Sequence, residues 1–304
     1  MILAVDNGFH MTKNSKGVHF YSTIRKGEDV INNNAIQVIV DGESYIVGES
    51  NGEYISDADK LKTESNRKNL ILCTLTSIAL AYPKDEEIDI TLVVGTPVSL
   101  FAKQKDQLKE VMSKLPNSIY VNKTGLKHKI NVKEVLVFPQ GISTVFRHFK
   151  EISDNSSMVI DIGGGSVDVS EFSGLKVVEK ATYFDGMLVL YEKIAQFINN
   201  EHYTNFKSDQ IYGLLERGFF TANGERVSMS IVSDLIEHHV SELMTKINRS
   251  FSINNVDNVF LTGGGAKQLR PYLQQYISNI QVENNAQFSN ANGFEYMAKL
   301  QLGR

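Results

Sequence analysis

The chain has 304 residues, 42% of them apolar and 22% charged, close to soluble globular averages and unlike a disordered or fibrous chain. A formal net charge of −4 gives no general pull toward DNA or acidic membrane, so direct nucleic-acid binding is not expected. The single cysteine, Cys73, lies in the apolar run Leu70-Ile71-Leu72-Cys73-Thr74-Leu75, which excludes an intrachain disulfide framework and reads as a buried core thiol in a reducing compartment.

The N-terminus lacks a basic region followed by an apolar stretch and cleavage site, and no run of about 18 apolar residues occurs, so a cytoplasmic protein with no membrane partner is expected. Two domains of roughly 150 residues each fit the length.

In chain order, residues 2–6, 19–25, 35–40 and 44–48 read as short strands, with Asp41-Gly42 as a hairpin turn. Leu70, Ile71, Thr74, Ile78 and Ala81 recur at helical spacing and predict a helix over 66–82, closed by Pro83. A strand over 88–94 and a helix over 99–115 follow, then a buried strand over 132–138 and a helix over 140–151 after Pro139. The polar stretch ISDNSSM, residues 152–158, is the expected domain boundary. Beyond it come a strand over 158–162, a returning strand marked by Val167, Val169 and Phe172, and helices over 186–203, 208–217 and 229–251. A strand over 258–262 and a last helix over 291–300 complete the reading.

One motif repeats. Strand, aspartate, glycine turn and returning strand occur at LAVDNGFHMTK and again, about 155 residues later, at MVIDIGGGSVDV. Two similar α/β halves would turn two aspartate-glycine loops toward one cleft, the usual place for a ligand. Glycine turns let backbone amides approach an anion such as phosphate. Gly163-Gly164-Gly165 supplies one turn and Asn7-Gly8-Phe9 another, with Lys13 on the returning strand near the same phosphates. Asp6 and Asp161 repel phosphate but suit a hydrated magnesium ion, which is held through one or two carboxylates plus phosphate oxygens. The pattern therefore predicts a magnesium-nucleotide site.

Standard nucleotide signatures do not account for it. No G-x-x-x-x-G-K-[ST] occurs, and GGGSVD is followed by strand alternation and lacks a third spaced glycine, against a dinucleotide-binding turn. TGGGAKQ lies between a strand and a helix, where amides could pack on a phosphate or an adenosine.

These stretches carry a resemblance. DNGFHMTK resembles the first phosphate loop of actin and its relatives, DIGGGSVDVS their second phosphate loop, VFPQGISTVF their connecting strand-to-helix segment, FLTGGGAKQL their adenosine motif and NANGFEYMAK their second connecting helix. With the five in family order across nearly the whole chain, it is identified as a member of the actin–Hsp70–sugar kinase superfamily. Within that superfamily it most resembles the bacterial actin-like ATPases of the ParM/StbA plasmid-segregation group.

The resemblance implies an α/β fold of two similar actin-like (ribonuclease H-like) domains flanking a nucleotide cleft, with a small antiparallel insertion in the first. Residues 1–152 would form the first domain, with a small subdomain at about 19–60 and the C-terminal helix 289–304 completing it; 153–288 would form the second. It further implies that Asp6 and Asp161 organise Mg2+, that Asn7, Gly8 and Lys13 form the first phosphate loop, and that Gly163, Gly164 and Gly165 form the second. Gly263, Gly264 and Gly265 would pack on the adenosine, and Gln140 would orient the attacking water. Asp168 either reaches the metal site or caps a turn, and capping is the favoured reading. Asp209, like Lys207, lies where relatives place a helix start near the ribose, or serves as the N-cap of its helix. Phe9-His10 departs from the small residues common in the first loop; a phosphate contact by His10 is weighed against a structural role. His238 and His239 lack ligand spacing, being about 100° apart on a helix.

The implied activity is a filament-forming ATPase using ATP, possibly GTP, with Mg2+. Self-association into filaments and an adaptor DNA-binding protein of ParR type, bound to a centromere-like site, are the implied partners. The alternatives are a non-polymerising ATP switch or a small-molecule kinase. A kinase would need a carboxylate base where Gln140 stands.

Overall fold

The computed structural model describes residues 1–29, 34–49, 52–54, 59–148 and 152–303. The first half opens with β1 (Ile2–Asn7), β2 (Met11–Asn14) and β3 (His19–Tyr21), an antiparallel meander. β4 (Thr23–Lys26), β5 (Ile36–Val40), β6 (Glu43–Val47) and β7 (Glu53–Tyr54) follow, then α1 (Glu64–Ala81), β8 (Glu87–Thr96), α2 (Phe101–Ser113), β9 (Ser118–Val121) and β10 (Leu126–Pro139). The strands form one ten-stranded sheet in the order β3-β2-β1-β8-β10-β9-β5-β6-β4-β7. β1 runs parallel to β8, and Leu3, Ala4 and Val5 are fully buried. Covered on both faces, this strand shows a continuous apolar run instead of alternation.

The strand expected over 19–25 is two strands. Ser22 turns the chain between them, its Oγ donating to the Gly8 carbonyl at 2.6 Å and its N–H to the His10 carbonyl at 2.9 Å. β3 therefore stays with the core and β4 leaves for the insertion. The insertion is also not a sheet of its own, because β5 pairs with β9 at Val38↔Val121 and joins it to the main sheet. Asp41 and Gly42 have φ of 50° and 80°, the left-handed pair that a two-residue hairpin loop requires.

The helix expected over 140–151 starts late. Gln140 and Gly141 form a turn, α3 spans only Ile142–Val145, and a 3-10 turn covers Phe146–His148; residues 149–151 lie outside the described residues.

The second half contains β11 (Ser156–Ile162), β12 (Val167–Ser173), β13 (Lys176–Tyr183), α4 (Met187–His202), α5 (Ser208–Arg217) and the hairpin β14 (Phe219–Ala222) with β15 (Glu225–Ser228). A 3-10 turn at Met229–Val232 leads into α6 (Ser233–Ser250), followed by β16 (Asn258–Thr262), α7 (Ala266–Leu273), β17 (Ile280–Val282) and α8 (Ser289–Gln301). Its sheet order, β13-β12-β11-β16-β17, repeats β3-β2-β1-β8-β10 of the first half. In both, the outer pairs on one side are antiparallel and those on the other parallel. The repeat read at two aspartate-glycine turns is thus a repeat of whole sheets.

Each half has its own apolar core, and the helices that join them cross. α3 buries Val145 against Val159, Phe172 and Phe260 of the second sheet, while α8 buries Phe294 and Ala298 against Ala4, Val93 and Leu136 of the first. Close approach at the crossing needs glycine. A Cβ on Gly293 would lie 2.7 Å from the Ser143 carbonyl oxygen, and one on Gly95 only 2.0 Å from the Phe294 ring. Gly95→Ala is expected to cost about 1–3 kcal/mol by overpacking. Denaturant midpoints test this, and Phe294→Leu in the same chain should recover part of the loss.

Candidate functional site

The two aspartate turns face one cavity. Asp6, Gly8, Lys13, Gln140, Asp161, Gly163, Gly164, Gly165, Gly263, Gly264 and Gly265 line it together, with Phe9, His10, Asp168 and Asn290. Of the predicted site residues only Asn7 turns away. As the next residue along β1 it points to the opposite face, where its Nδ2 donates to Thr74 Oγ1 at 3.1 Å.

Cross-strand register sets the charges. In the first half Asp6 stands opposite Lys13, and Lys13 Nζ lies 3.6 Å from Asp6 Oδ2. In the second half the equivalent place opposite Asp161 holds another acid, Asp168. Both Asp6 and Asp161 are almost fully buried. Gln140 Nε2 donates to Asp6 Oδ1 at 2.9 Å, and Asn290 Nδ2 to Asp161 Oδ2 at 2.8 Å. Burial pushes the Asp161 carboxyl upward; the Asn290 bond opposes this and the Asp6 charge adds to it.

Asp168 lines the cavity and also holds a turn. Buried inside β12, it accepts from Thr182 Oγ1, from Ser166 Oγ at 3.4 Å and from the backbone N–H of Val98 in the turn before α2. Burial, with the Asp161 charge, raises its carboxyl to about 7 against the hydrogen bond from Thr182. Asp209 is not an N-cap: it is the second residue of α5, the cap position is Lys207, and its Oδ1 is buried with no hydrogen-bond partner among the described residues.

The glycine turns interlock with the first loop. A Cβ on Gly164 would lie 2.5 Å from His10 Cβ, and one on Gly165 2.7 Å from the Phe9 ring. The Gly164 and Gly165 amides donate to no backbone carbonyl among the described residues, so these N–H groups remain available to an anion. Phe9 and His10 leave about 80 Å³ of free space in the cleft, below the roughly 300–1,000 Å³ of a small-molecule site.

His10 sits among Tyr21, Tyr54 and Tyr191, with ring centroids 5.2, 6.1 and 6.2 Å away. Burial, aided by Lys13 and opposed by Asp209, lowers its imidazole to about 4. It is a neutral ring at physiological pH rather than a positive partner for phosphate.

Two residues of this neighbourhood are not marked as site residues by the sequence. Asn290 opens the NANGFEYMAK stretch, whose pattern signals only a helix. Lys60 gave no signal at all in the sequence DADKLK. It is buried, donates to the Asn7 carbonyl and lies 4.6 Å over the Phe9 ring. Burial lowers its ammonium to about 8 despite Asp6 and Asp168. Cys73 is a buried thiol, 3.4 Å from Asn69 Oδ1 and pushed up to about 12 by burial. No described helix is long and apolar enough to cross a membrane.

Two repeated α/β halves around a glycine-lined cleft define the actin-like fold. A model of the N-terminal domain of actin-like proteins matches residues 4–142, and one described as plasmid segregation protein ParM, C-terminal, matches 152–297. The chain belongs to the actin-like proteins of the ParM type. It is similar in fold to a subunit of a 15-stranded ParM filament from Clostridium botulinum (TM-score 0.81, 20% identity, 98% of this chain and 99% of that one). It is likewise similar to Ta0583, an archaeal actin homolog, in complex with ADP (TM-score 0.80, 16% identity, 98% and 99% covered). No curated protein matches by sequence.

The His10 environment predicts a pH effect. Between pH 6.5 and about 4 the unfolded chain takes up a proton that the folded chain refuses, so this stabilisation is complete above 6.5 and is lost as the pH falls to about 4. A shift of this size is worth on the order of 3 kcal/mol. Urea unfolding of the nucleotide-free protein across this range should fall more steeply for wild type than for His10→Asn.

Proposed function

We propose that the chain is a filament-forming actin-like ATPase that binds Mg-ATP between its two lobes and hydrolyses it. The observation that carries this reading is the pair of buried carboxylates, Asp6 and Asp161, meeting two glycine turns and Gln140 in one cleft. On this reading residues 1–152 with 289–304 are one lobe and 153–288 the other.

The donor set fits magnesium. The carboxylates are hard oxygen ligands, and the Asp6 charge bears on Asp161, with Lys13 paired to Asp6 at 3.6 Å. Asp6 and Asp161 would hold the ion, through water, beside phosphate oxygens. Bound there, Mg2+ would neutralise charge on the phosphates.

The chain's own residues supply the rest. Lys13 and the amides of Gly164 and Gly165 would bind the phosphates, while Gly8 and Gly163, whose N–H groups donate to the Met11 and Ser166 carbonyls, would shape the two loops; Gly263–Gly265 would pack on the adenosine. Asn7 would act through its backbone, since its side chain is held by Thr74. Gln140 would orient the attacking water through its amide, and hydrolysis needs little beyond such positioning and charge stabilisation. Because the cleft is narrow, ATP binding would part Phe9 and His10 from Gly164 and Gly165. That separation is the change of lobe geometry by which nucleotide would control association. Head-to-tail contacts whose rotation does not close give open filaments. The ParM-type family membership supports plasmid DNA as cargo, carried through a DNA-binding adaptor of ParR type.

Light scattering and sedimentation with Mg2+ plus ATP, GTP, ADP or no nucleotide test the proposal. Polymer should form with triphosphate and decay as phosphate is released. Nucleotide binding without pelletable polymer at any protein concentration overturns it. Gln140→Ala should lower kcat by about 100-fold, as loss of an aligned hydrogen-bonding group does, while nucleotide affinity is kept. Asp161→Ala should abolish magnesium-dependent turnover.

A further inference from the structure

Asn290, in the first turn of α8, is only 8% exposed, and both ends of its carboxamide are engaged. Oδ1 accepts from the Gly141 N–H at 2.8 Å, and Nδ2 donates to Asp161 Oδ2 at 2.8 Å. The partners dictate which end is which, because a backbone N–H only donates and an ionised carboxylate only accepts. Gly141 directly follows Gln140, whose own amide reaches Asp6 at 2.9 Å. The carboxylate of one half is thereby linked to that of the other through neutral amides and one stretch of backbone.

We propose that Asn290 is a positioning residue for the hydrolysis described above, an inference that rests on that reading. Its carboxamide holds Asp161 at a set distance from the connector bearing Gln140, so the carboxylate and the water-orienting amide keep register when the lobes move. Asn290 does not touch the nucleotide in this role. It acts through Asp161 and through the Gly141 amide.

Packing alone does not call for an asparagine here. α8 is fastened to the first sheet by Phe294 and Ala298, both fully buried, and to α3 by the contact of Gly293 with Ser143. An apolar residue of similar size would fill the space without the cost of burying an amide. The asparagine instead meets one donor and one acceptor that belong to different lobes. Only a group with an acceptor and a donor on one short stem serves both. Aspartate has the same shape but loses the donor and faces Asp161 with a like charge.

Steady-state ATPase kinetics of full-length wild type, Asn290→Ala, Asn290→Ser and Asn290→Asp test the assignment, with thermal unfolding midpoints and Mg-ADP affinity measured on the same samples. The expected result is a kcat lower by roughly 10- to 100-fold, the usual effect of removing a group that orients a ligand, with KM and Mg-ADP affinity within about threefold of wild type. Asn290→Asp should be at least as impaired as Asn290→Ala despite its shape. Turnover within about twofold of wild type in the alanine and aspartate variants overturns the proposal. So does a loss of kcat that simply follows a fall in unfolding midpoint, which would mark a structural role; if alanine does not fold, serine carries the comparison. A wild type that binds nucleotide but never releases phosphate is a separate result, defeating the ATPase reading and this inference with it.

Discussion

Two carboxylates buried in one cleft are the constraint around which the molecule is arranged. An ionised acid taken out of water is costly unless charges or hydrogen bonds replace its solvation. The two halves meet this differently. Asp6 has Lys13 opposite it on the neighbouring strand and the Gln140 amide beside it. Asp161 has a third acid opposite, and the bond from Asn290 at 2.8 Å crosses from the other end of the chain. The repeat is therefore close in its backbone and broken in its charge. That asymmetry leaves the Asp161 side short of positive charge.

Interlocking of the two loops follows from the same arrangement. With small residues after Gly8, the turns could stand apart around a phosphate. Phe9 and His10 instead reach across to Gly164 and Gly165, and only the missing Cβ atoms there permit the contact. Lys60 fixes the first loop from behind through the Asn7 carbonyl and the Phe9 ring. The closed cleft is thus held by apolar and cation–π contact as well as by polar bonds, and the neutral state of His10 allows its burial among tyrosines.

What the sequence revealed was local. The strand-aspartate-glycine turns, the helix of α1 and the strand of β16 are written in short stretches, and nearly every residue named from the glycine turns lines the cavity. Elements that depend on pairing more than on their own pattern were not legible. β9, the first half of β10, β13, β17 and the hairpin of β14 with β15 are short or polar and take their conformation from a neighbouring strand. Gly141 and the turn it makes delay the start of a helix expected directly after Pro139. Asn290 and Lys60 were missed because their roles lie in contacts 149 and 53 residues away in sequence, for which no local pattern exists. That Asp168 stands opposite Asp161 was not legible, because strand alternation does not say which partner a residue faces.

The crossing of α3 and α8 ties the cleft to the relation between the lobes. Gln140 and Gly141 enter α3, and Asn290 enters α8, so the groups nearest the buried acids also lie at the points where the chain passes between lobes. Each connecting helix packs on the sheet of one lobe while its first residues touch the other. A rotation of the lobes cannot occur there without moving those amides, and a change at either carboxylate is felt at the crossing. Packed glycine contacts such as Gly293 against Ser143 and Gly95 against Phe294 leave no slack to absorb the motion, since dense cores shift between discrete arrangements instead of deforming smoothly. Cleft chemistry and lobe angle are in this way one mechanical variable, and a nucleotide that distinguishes two states of the cleft necessarily distinguishes two shapes of the molecule.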